Sequence, residues 1–292
     1  MKKITFMTMA MVAAMSAGTA MTLASCSEAG SLKTSISTDN DRYVVTEGKI
    51  VKQYLKVGKF ISVRIEGSPT VKFVQGNKHE VIVQGTKEYV DKIKTVVEGN
   101  KLVVGLKSNI SFNIFKNRSD RKNLVIYVTS PDLVGVELAG SGDFICKGPI
   151  DTDRLDIQVN GSGDVDFEGN VICDDLMVEL NGSGDVDFNG SIICDDLKVE
   201  LNGSGDVEIK DVESISSSLQ LIGSGDIKVN QKKVENTRVQ LIGSGDIKVN
   251  FDNCRNVESS LAGSGDIMLK GNISGKLNKA KAGSGDYTID LH

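Results

Sequence analysis

The sequence predicts an all-β fold, a parallel β-solenoid with coils of about 20–21 residues. Three observations carry this reading: a strict repeat, a two-residue alternation on both sides of it, and a composition that disfavours helices. The tetrapeptide Gly-Ser-Gly-Asp starts at Gly140, Gly161, Gly182, Gly203, Gly223, Gly243, Gly263 and Gly283. The first three intervals between starts are twenty-one and the last four are twenty. Before the motif come Leu176-x-Val178-x-Leu180 and Leu197-x-Val199-x-Leu201; after it come Val165-x-Phe167, Val186-x-Phe188, Ile227-x-Val229 and Ile267-x-Leu269. Period two marks strands with one buried face. The 292 residues include 31 Gly, 3 Pro and no Trp. Glycine weakens helices, and no three-residue glycine period points to collagen. A chain that is 39% hydrophobic and 25% charged is not disordered.

Each repeat reads as strand, glycine turn, strand, and a less regular return such as Asn170–Asp175. A unit this short cannot bury its own apolar face, whereas stacked identical coils bury a continuous interior. A meander of hairpins would also give strand-turn-strand. Constant coil length with like residues at like offsets favours parallel stacking instead. Asn160, Asn181 and Asn202 share one offset, and Cys173 and Cys194 share another. At ~4.8 Å per step, the seven steps span about 34 Å.

The elements follow in order. Met1-Lys2-Lys3 is a basic start, and Ile4–Ala24 is weakly apolar. The stretch ends in Leu23-Ala24-Ser25-Cys26, which resembles a bacterial lipobox. Residues 1–25 are therefore expected to be a lipoprotein signal peptide, with Cys26 as the lipid-attachment residue. Thr5, Thr8, Ser16, Thr19 and Thr22 are too polar for a retained membrane helix. Ser27-Glu28 does not look like an inner-membrane retention signal, so an outer-membrane lipoprotein facing the periplasm or the cell surface is expected. Residues 26–56 read as a tether and lead-in, polar from Ser27 to about Asp41.

Residues 57–139 read as degenerate coils. Phe60–Ile65 has a strand pattern, and Gly67-Ser68-Pro69-Thr70-Val71-Lys72-Phe73 keeps the frame of turn and apolar-x-apolar. Strands are expected at Glu80–Gln84, Lys101–Leu106 and Leu124–Thr129, and a short helix within Thr86–Lys94. Lys107–Lys122 reads as a basic polar loop carrying Phe112, Ile114 and Phe115. Residues 140–292 form the repeat solenoid, continuous with 57–139 as one domain. In the last coil Lys281 takes the offset of Leu201, Leu221, Leu241 and Leu261, which suits a cap.

Formal net charge is −5, or −7 once residues 1–25 with Lys2 and Lys3 are removed. Neither value favours nucleic acid as a partner. Residues 151–210 carry 16 acids and 3 bases, residues 27–150 carry 13 and 19, and residues 211–292 carry 10 and 10. The middle coils are thus an acidic belt that includes Asp174, Asp175, Glu179, Asp195, Asp196 and Glu200. It is either a well-solvated surface or a face for cations or a basic partner.

The motif aspartates form a ladder: Asp143, Asp164, Asp185, Asp206, Asp226, Asp246, Asp266 and Asp286. Neighbours ~5 Å apart repel by about 1 kcal/mol in water-like surroundings and ~3 at an effective dielectric of 20. Each carboxylate can accept hydrogen bonds from the backbone of its own turn while splaying into solvent. Alternatively a cation sits between coils, most plausibly calcium, with Asp164, Asp185 and Asp206 as candidates. Calcium needs six to eight oxygens and one carboxylate per coil supplies few, so the turn reading is favoured. No other cofactor is implied.

Besides Cys26, the chain has Cys146, Cys173, Cys194 and Cys254. Stacking brings Cys173 and Cys194 within disulfide range, but an in-register ladder seldom aims both sulfurs correctly. Buried free thiols are expected. No C-x-x-C pair suggests zinc or redox chemistry.

Catalysis finds little support. The histidines are His79, in a loop before a strand, and His292. The turn serines have no His nearby in sequence. Asp164 with Asp166 could imitate a glycosidase pair, yet the pair recurs as Asp185 with Asp187, which argues for architecture. Sugar platforms use Trp and Tyr; here Trp is absent and Tyr numbers 5.

Leu124–Val128, then Ser130-Pro131-Asp132-Leu133, then Val136-x-Leu138 leading into the first Gly-Ser-Gly-Asp resembles the head GIN domain family of putative auto-transporter adhesins. That family is common among secreted and lipid-anchored proteins of Bacteroidetes. The resemblance runs from about Val57 to the C-terminus. It implies a right-handed β-helix-like solenoid in an extracytoplasmic setting and supplies no catalytic residues. The expected function is a non-enzymatic cell-envelope lipoprotein, an adhesin or binding scaffold. It would be held to a membrane by its lipid, with a protein or glycan ligand. The alternatives are a carbohydrate-active β-helix enzyme and a calcium-dependent polysaccharide-binding protein; a plain structural spacer is a third.

Overall fold

In the computed structural model the described residues are 34–39, 42–47, 49–107 and 124–291. The segment expected to be a signal peptide, Cys26, His292 and nearly all of the basic loop after Lys107 lie outside them. The described chain is nearly all strand and forms a parallel β-solenoid of about eight turns.

Each coil has three faces. The first is built from Ser62–Gly67, Gly135–Gly140, Arg154–Gly161, Asp175–Gly182 and Asp196–Gly203, all parallel and in register. The second carries Thr70–Gln75, Phe144–Cys146, Val165–Phe167 and the start of Val186–Ile193. The return segment is itself ordered, as short strands Ile150–Asp151 and Val171–Ile172 that make a third face. Later coils run as unbroken strands of 17 or 18 residues, Val207–Gly223, Asp226–Gly243 and Asp246–Gly263, which bend at each corner.

Alternation decides what goes inside. Along Asp175–Gly182, Leu176, Val178 and Leu180 are buried while Asp175 is exposed. Identical inward offsets then stack into columns such as Val136, Ile157, Val178, Val199 and Leu219. An aromatic column opens the second face, with Phe167 and Phe188 stacked at 4.9 Å between centroids. One contiguous core runs from Val51 to Leu269.

The later coils are shorter by a single residue, and the shortening has a local cause. Phe188 pairs with Ile209 but Ser191 pairs with Asp211, so Asn189-Gly190 faces one residue, Lys210. The residue lost is the corner glycine of the earlier coils, Gly148, Gly169 and Gly190.

The motif turn explains its own composition. Gly182 has φ +153°, and a Cβ there would lie 1.9 Å from the carbonyl oxygen of Gly161. A Cβ at Gly184 would lie 2.0 Å from the carbonyl oxygen of Gly163. That carbonyl approach is used: Ser183 N donates to Gly161 O at 2.9 Å, and Ser204 and Gly205 N both donate to Gly182 O at 2.9 and 3.3 Å. Neither glycine tolerates a side chain while its coil stays in contact with the one before.

The N-terminal part departs from a sequential stack. Ser62–Gly67 and Thr70–Gln75 form a true coil, with Gly67 in register with Gly140 as the sequence frame implies. The segment between them does not continue outward in order. Lys101–Leu106 and Val125–Ser130 pair parallel to the far edges of that coil, and the chain then crosses to Gly135–Gly140 on its other edge. The strands beyond are antiparallel: Ile93–Glu98 on Lys101–Leu106, Glu80–Thr86 on Val125–Ser130, then Ile50–Leu55, Arg42–Glu47 and Thr34–Asp39. Residues 57–139 are thus one coil, one composite layer and part of an antiparallel cap. Residues 34–39 are strand, where the sequence suggested tether. A helical turn, Lys87–Val90, buries Tyr89 and Val90 on this cap.

Gly184→Ala should lower stability by more than about 3 kcal/mol, because backbone must move to admit the methyl. Gly148→Ala, whose Cβ would meet nothing within 4 Å, should leave the melting midpoint nearly unchanged. Thermal denaturation of the two variants checks this.

Candidate functional site

The aspartate ladder is a coil-to-coil device. Asp164 Oδ1 accepts from Asp185 N at 3.0 Å, and Asp185 Oδ1 accepts from Asp206 N at 3.0 Å. The pattern continues through Asp206, Asp226, Asp246 and Asp266, at 2.7 to 3.1 Å. At its start, Thr70 Oγ1 donates to Asp143 Oδ2 at 3.2 Å. From Asp164 to Asp266 the side chains therefore do not bond their own turns, as the sequence suggested; each reaches the backbone N–H of the next coil's aspartate. One donor per step offsets the repulsion between neighbouring charges. Asp164, Asp185 and Asp206, the calcium candidates, each commit an oxygen to this bond. Among the described residues no group of three or more His, Cys, Asp or Glu side chains is close enough to hold a metal ion.

Beside the ladder, Asp166, Asp187 and Glu208 form a second acidic column. Asp187 lies at the surface. Partial desolvation, and then the charges of Asp185, Glu208, Asp166 and Asp164, hold its carboxyl above the ordinary range. The column ends where Lys228 Nζ meets Glu208 at 2.9 Å.

The thiols are withdrawn. Cys146, Cys173, Cys194 and Cys254 are free and buried. Burial, with help from nearby acids, pushes Cys173 and Cys194 up to about 12; burial likewise raises Cys146 to about 11. Thiols held protonated are poor nucleophiles.

His79 is half-buried. Its ring leans on Phe60 at 5.1 Å. Nδ1 lies 3.5 Å from Phe60 N and 3.4 Å from Ser130 Oγ. No sequence signal marks this Ser–His contact across 51 residues. It is a clasp and not a catalytic pair, since Ser130 is 0% exposed and its hydroxyl donates to Phe60 O at 2.8 Å.

One surface feature was not anticipated. At the corner joining the third and first faces of the last coils lies an open cleft of about 790 Å³. Ser216, Ser217, Asn236, Thr237, Arg238, Arg255, Asn256 and Lys276 line it. Behind it an inward column that reads Leu155, Leu176 and Leu197 shrinks to Ser217 and Thr237 before returning to Val257. Gln231, 1% exposed, fills part of the vacated interior. It donates to Ser217 Oγ at 2.6 Å and accepts from Thr237 Oγ1 at 2.7 Å.

This architecture has known counterparts. The family model described as "Putative auto-transporter adhesin, head GIN domain" matches residues 59–235. The chain belongs to this family. Among solved structures, a putative lipid binding protein from Parabacteroides distasonis is 25% identical, with a TM-score of 0.67 over 84% of this chain and 97% of its own. A putative adhesin from Parabacteroides merdae shows the same fold at 17% identity and TM-score 0.67, over 84% and 97%. One from Bacteroides fragilis does so at 21% identity and TM-score 0.56, over 82% and 97%. No curated protein matches the sequence. The family and its structural neighbours fit a binding role without catalysis, in association with the cell surface or envelope.

Asp185→Ala should cost about 1 kcal/mol, the worth of one hydrogen bond. Asp185→Asn keeps an acceptor and should cost much less. Calcium or EDTA should leave the wild-type midpoint in place; a calcium-dependent rise that Asp185→Asn abolishes would establish the metal site instead.

Asp187→Asn should be more stable than wild type at neutral pH. The folded state holds the Asp187 proton more tightly than the unfolded chain does. This residue's contribution to stability is therefore full below the unfolded pKa and is lost as pH rises through the folded pKa. Melting curves across acid pH should show the variant's advantage vanish as pH falls through that window.

Proposed function

We propose that the chain is a lipid-anchored envelope protein, attached through Cys26 to the outer membrane, whose solenoid is a rigid, non-enzymatic adhesion platform. The observation that carries this reading is the register of the outward columns. Every outward offset recurs one strand spacing further along a continuous stack, so the surface offers many regularly spaced side chains in a line. Weak contacts so arranged add through effective concentration. The adhesin family supports the reading, as do the buried thiols and the buried Ser130 hydroxyl.

The neighbour named as a lipid binding protein raises a second reading. Here the interior is filled by its own side chains, among them Phe73, Phe144 and Phe167 at 0% exposure. The open cleft is lined mainly by hydroxyl, amide and charged groups. Both features favour a polar ligand over an acyl chain.

Cells expressing the full chain and fed an alkynyl palmitate should label it, and Cys26→Ala should abolish both the label and its recovery with membranes. Label surviving Cys26→Ala would overturn the anchor. Retention of wild-type cells, but not of a deletion strain, on immobilised glycans or proteins would support the adhesion role; equal retention would overturn it.

A further inference from the structure

We propose that the cleft at the last coils is a binding site for an acidic polysaccharide, read through the carboxylates of its sugars. The inference rests on the binding role above and adds a site and a ligand class to it.

The charges come first. A smaller hollow adjoins the cleft and shares Arg255, Asn256 and Lys276 with it, while adding Lys233 and Glu235. Arg238 is tied to Glu258 at 2.9 Å. Arg255, Lys276 and Lys233 have no ion-pair partner among the described residues; the carboxylates beside them are Glu235 and, in register with Lys233 on the preceding coil, Glu213. This happens in a chain of net charge −5, immediately beyond coils dominated by acids. A guanidinium presents a planar fork suited to carboxylate, and lysine adds a mobile point charge.

The neutral groups fit a sugar polymer. Ser216, Asn236, Asn256 and Lys276 stack in one outward column. Asn256 Nδ2 donates to Asn236 Oδ1 at 3.0 Å, and Asn256 Oδ1 accepts from Lys276 N at 3.1 Å. Amides and hydroxyls both donate and accept, which matches a ligand dense in hydroxyls. The column repeats along the solenoid axis, so an extended chain can meet several coils at once. A pocket for a small molecule is usually enclosed and mostly apolar; this cleft is open and polar. It has no aromatic lining to stack on a neutral sugar ring, so charge must supply the selectivity.

The corner is also built to stay open. A Cβ on Gly275 would lie 2.6 Å from Asn256 Oδ1. The floor is fixed by the buried bonds from Gln231 to Ser217 and Thr237. Lys233 and Arg255 stand on strand backbone, and the Lys276 N–H is held by Asn256 Oδ1, so binding has mainly side-chain freedom to fix.

The test uses the purified full chain and two probes, polygalacturonate and its fully methyl-esterified, neutral form. Calorimetry should show binding to polygalacturonate that weakens with salt, and little binding to the ester. The double variant Arg255→Glu, Lys276→Glu should lose roughly tenfold or more in affinity. Lys72→Glu, on the second face, should not. Both altered side chains are outward, so unchanged circular dichroism and melting midpoint should confirm the fold. Equal affinity in the double variant, equal binding of the ester, or no binding of polygalacturonate by wild type would each overturn the site. Binding of an acidic protein or nucleic acid in place of the polymer would overturn the ligand class. If wild-type cells still adhere while the double variant adheres equally, the site fails and the adhesion role stands. If neither adheres, the adhesion role itself fails.

Discussion

The structure hangs on one close approach, the carbonyl of each motif glycine against the turn of the next coil. Two backbone donors, such as Ser204 N and Gly205 N on Gly182 O, hold the turns at strand spacing, and no Cβ fits between them. With the corners locked, like residues must stack on like along both adjoining faces. The inward columns then fill the interior. The outward columns are left free: one of them reads Asp156, Met177, Lys198, Ser218, Arg238, Glu258 and Asn278. Strictness at the corner is what permits that variety on the face, and binding chemistry resides on the face.

The repeat was legible because it writes the same constraint many times. Its partners were less so. The sequence shows that an aspartate follows the glycine turn, but not which N–H it meets. The first coil was legible at Gly67 from its frame, yet its stacking partner is the distant Gly140. Nothing in the spacing says that the intervening chain folds outward and returns. The strands Ile50–Leu55 and Ile93–Glu98 are single short segments in an antiparallel cap, with no second copy to reveal them. The cleft did have a sequence signal. The inward offset held by Leu176 and Leu197 passes to Ser217 and Thr237, a break in hydrophobic stacking that marks a dent.

Charge follows the same division of labour. In the acidic belt each motif carboxylate gains a backbone donor, so the ladder tolerates its own repulsion. Asp187, in the column beside it, gains no such donor and holds its proton more firmly than usual. Later coils relieve the column with lysines: Lys228 meets Glu208, and Lys248 lies 3.3 Å from Asp246. The belt gives way to balanced coils where the repeat loses its corner glycine. Three cations without an ion-pair partner there, Lys233, Arg255 and Lys276, gather at the cleft and the hollow beside it.

A stack of identical coils must also end, because each exposed edge invites another copy. The two ends use different means. At the N-terminal end antiparallel strands cover the first coil and its composite neighbour. At the C-terminal end the inward offsets change character: Ser259 is followed by Lys279 and Leu261 by Lys281. Tyr287 closes the gap, its hydroxyl donating to Ala280 O at 3.0 Å and lying 3.2 Å from Ser259 Oγ. Lys279 stands 5.8 Å over its ring, and Lys281 reaches Asp286 at 3.5 Å. A further coil laid on this end would have to bury two ammonium groups, which is costly without partners. Growth along the axis is therefore opposed at the C-terminal end, and the sides of the solenoid, with their acidic belt and cationic cleft, present the broad surfaces for a partner.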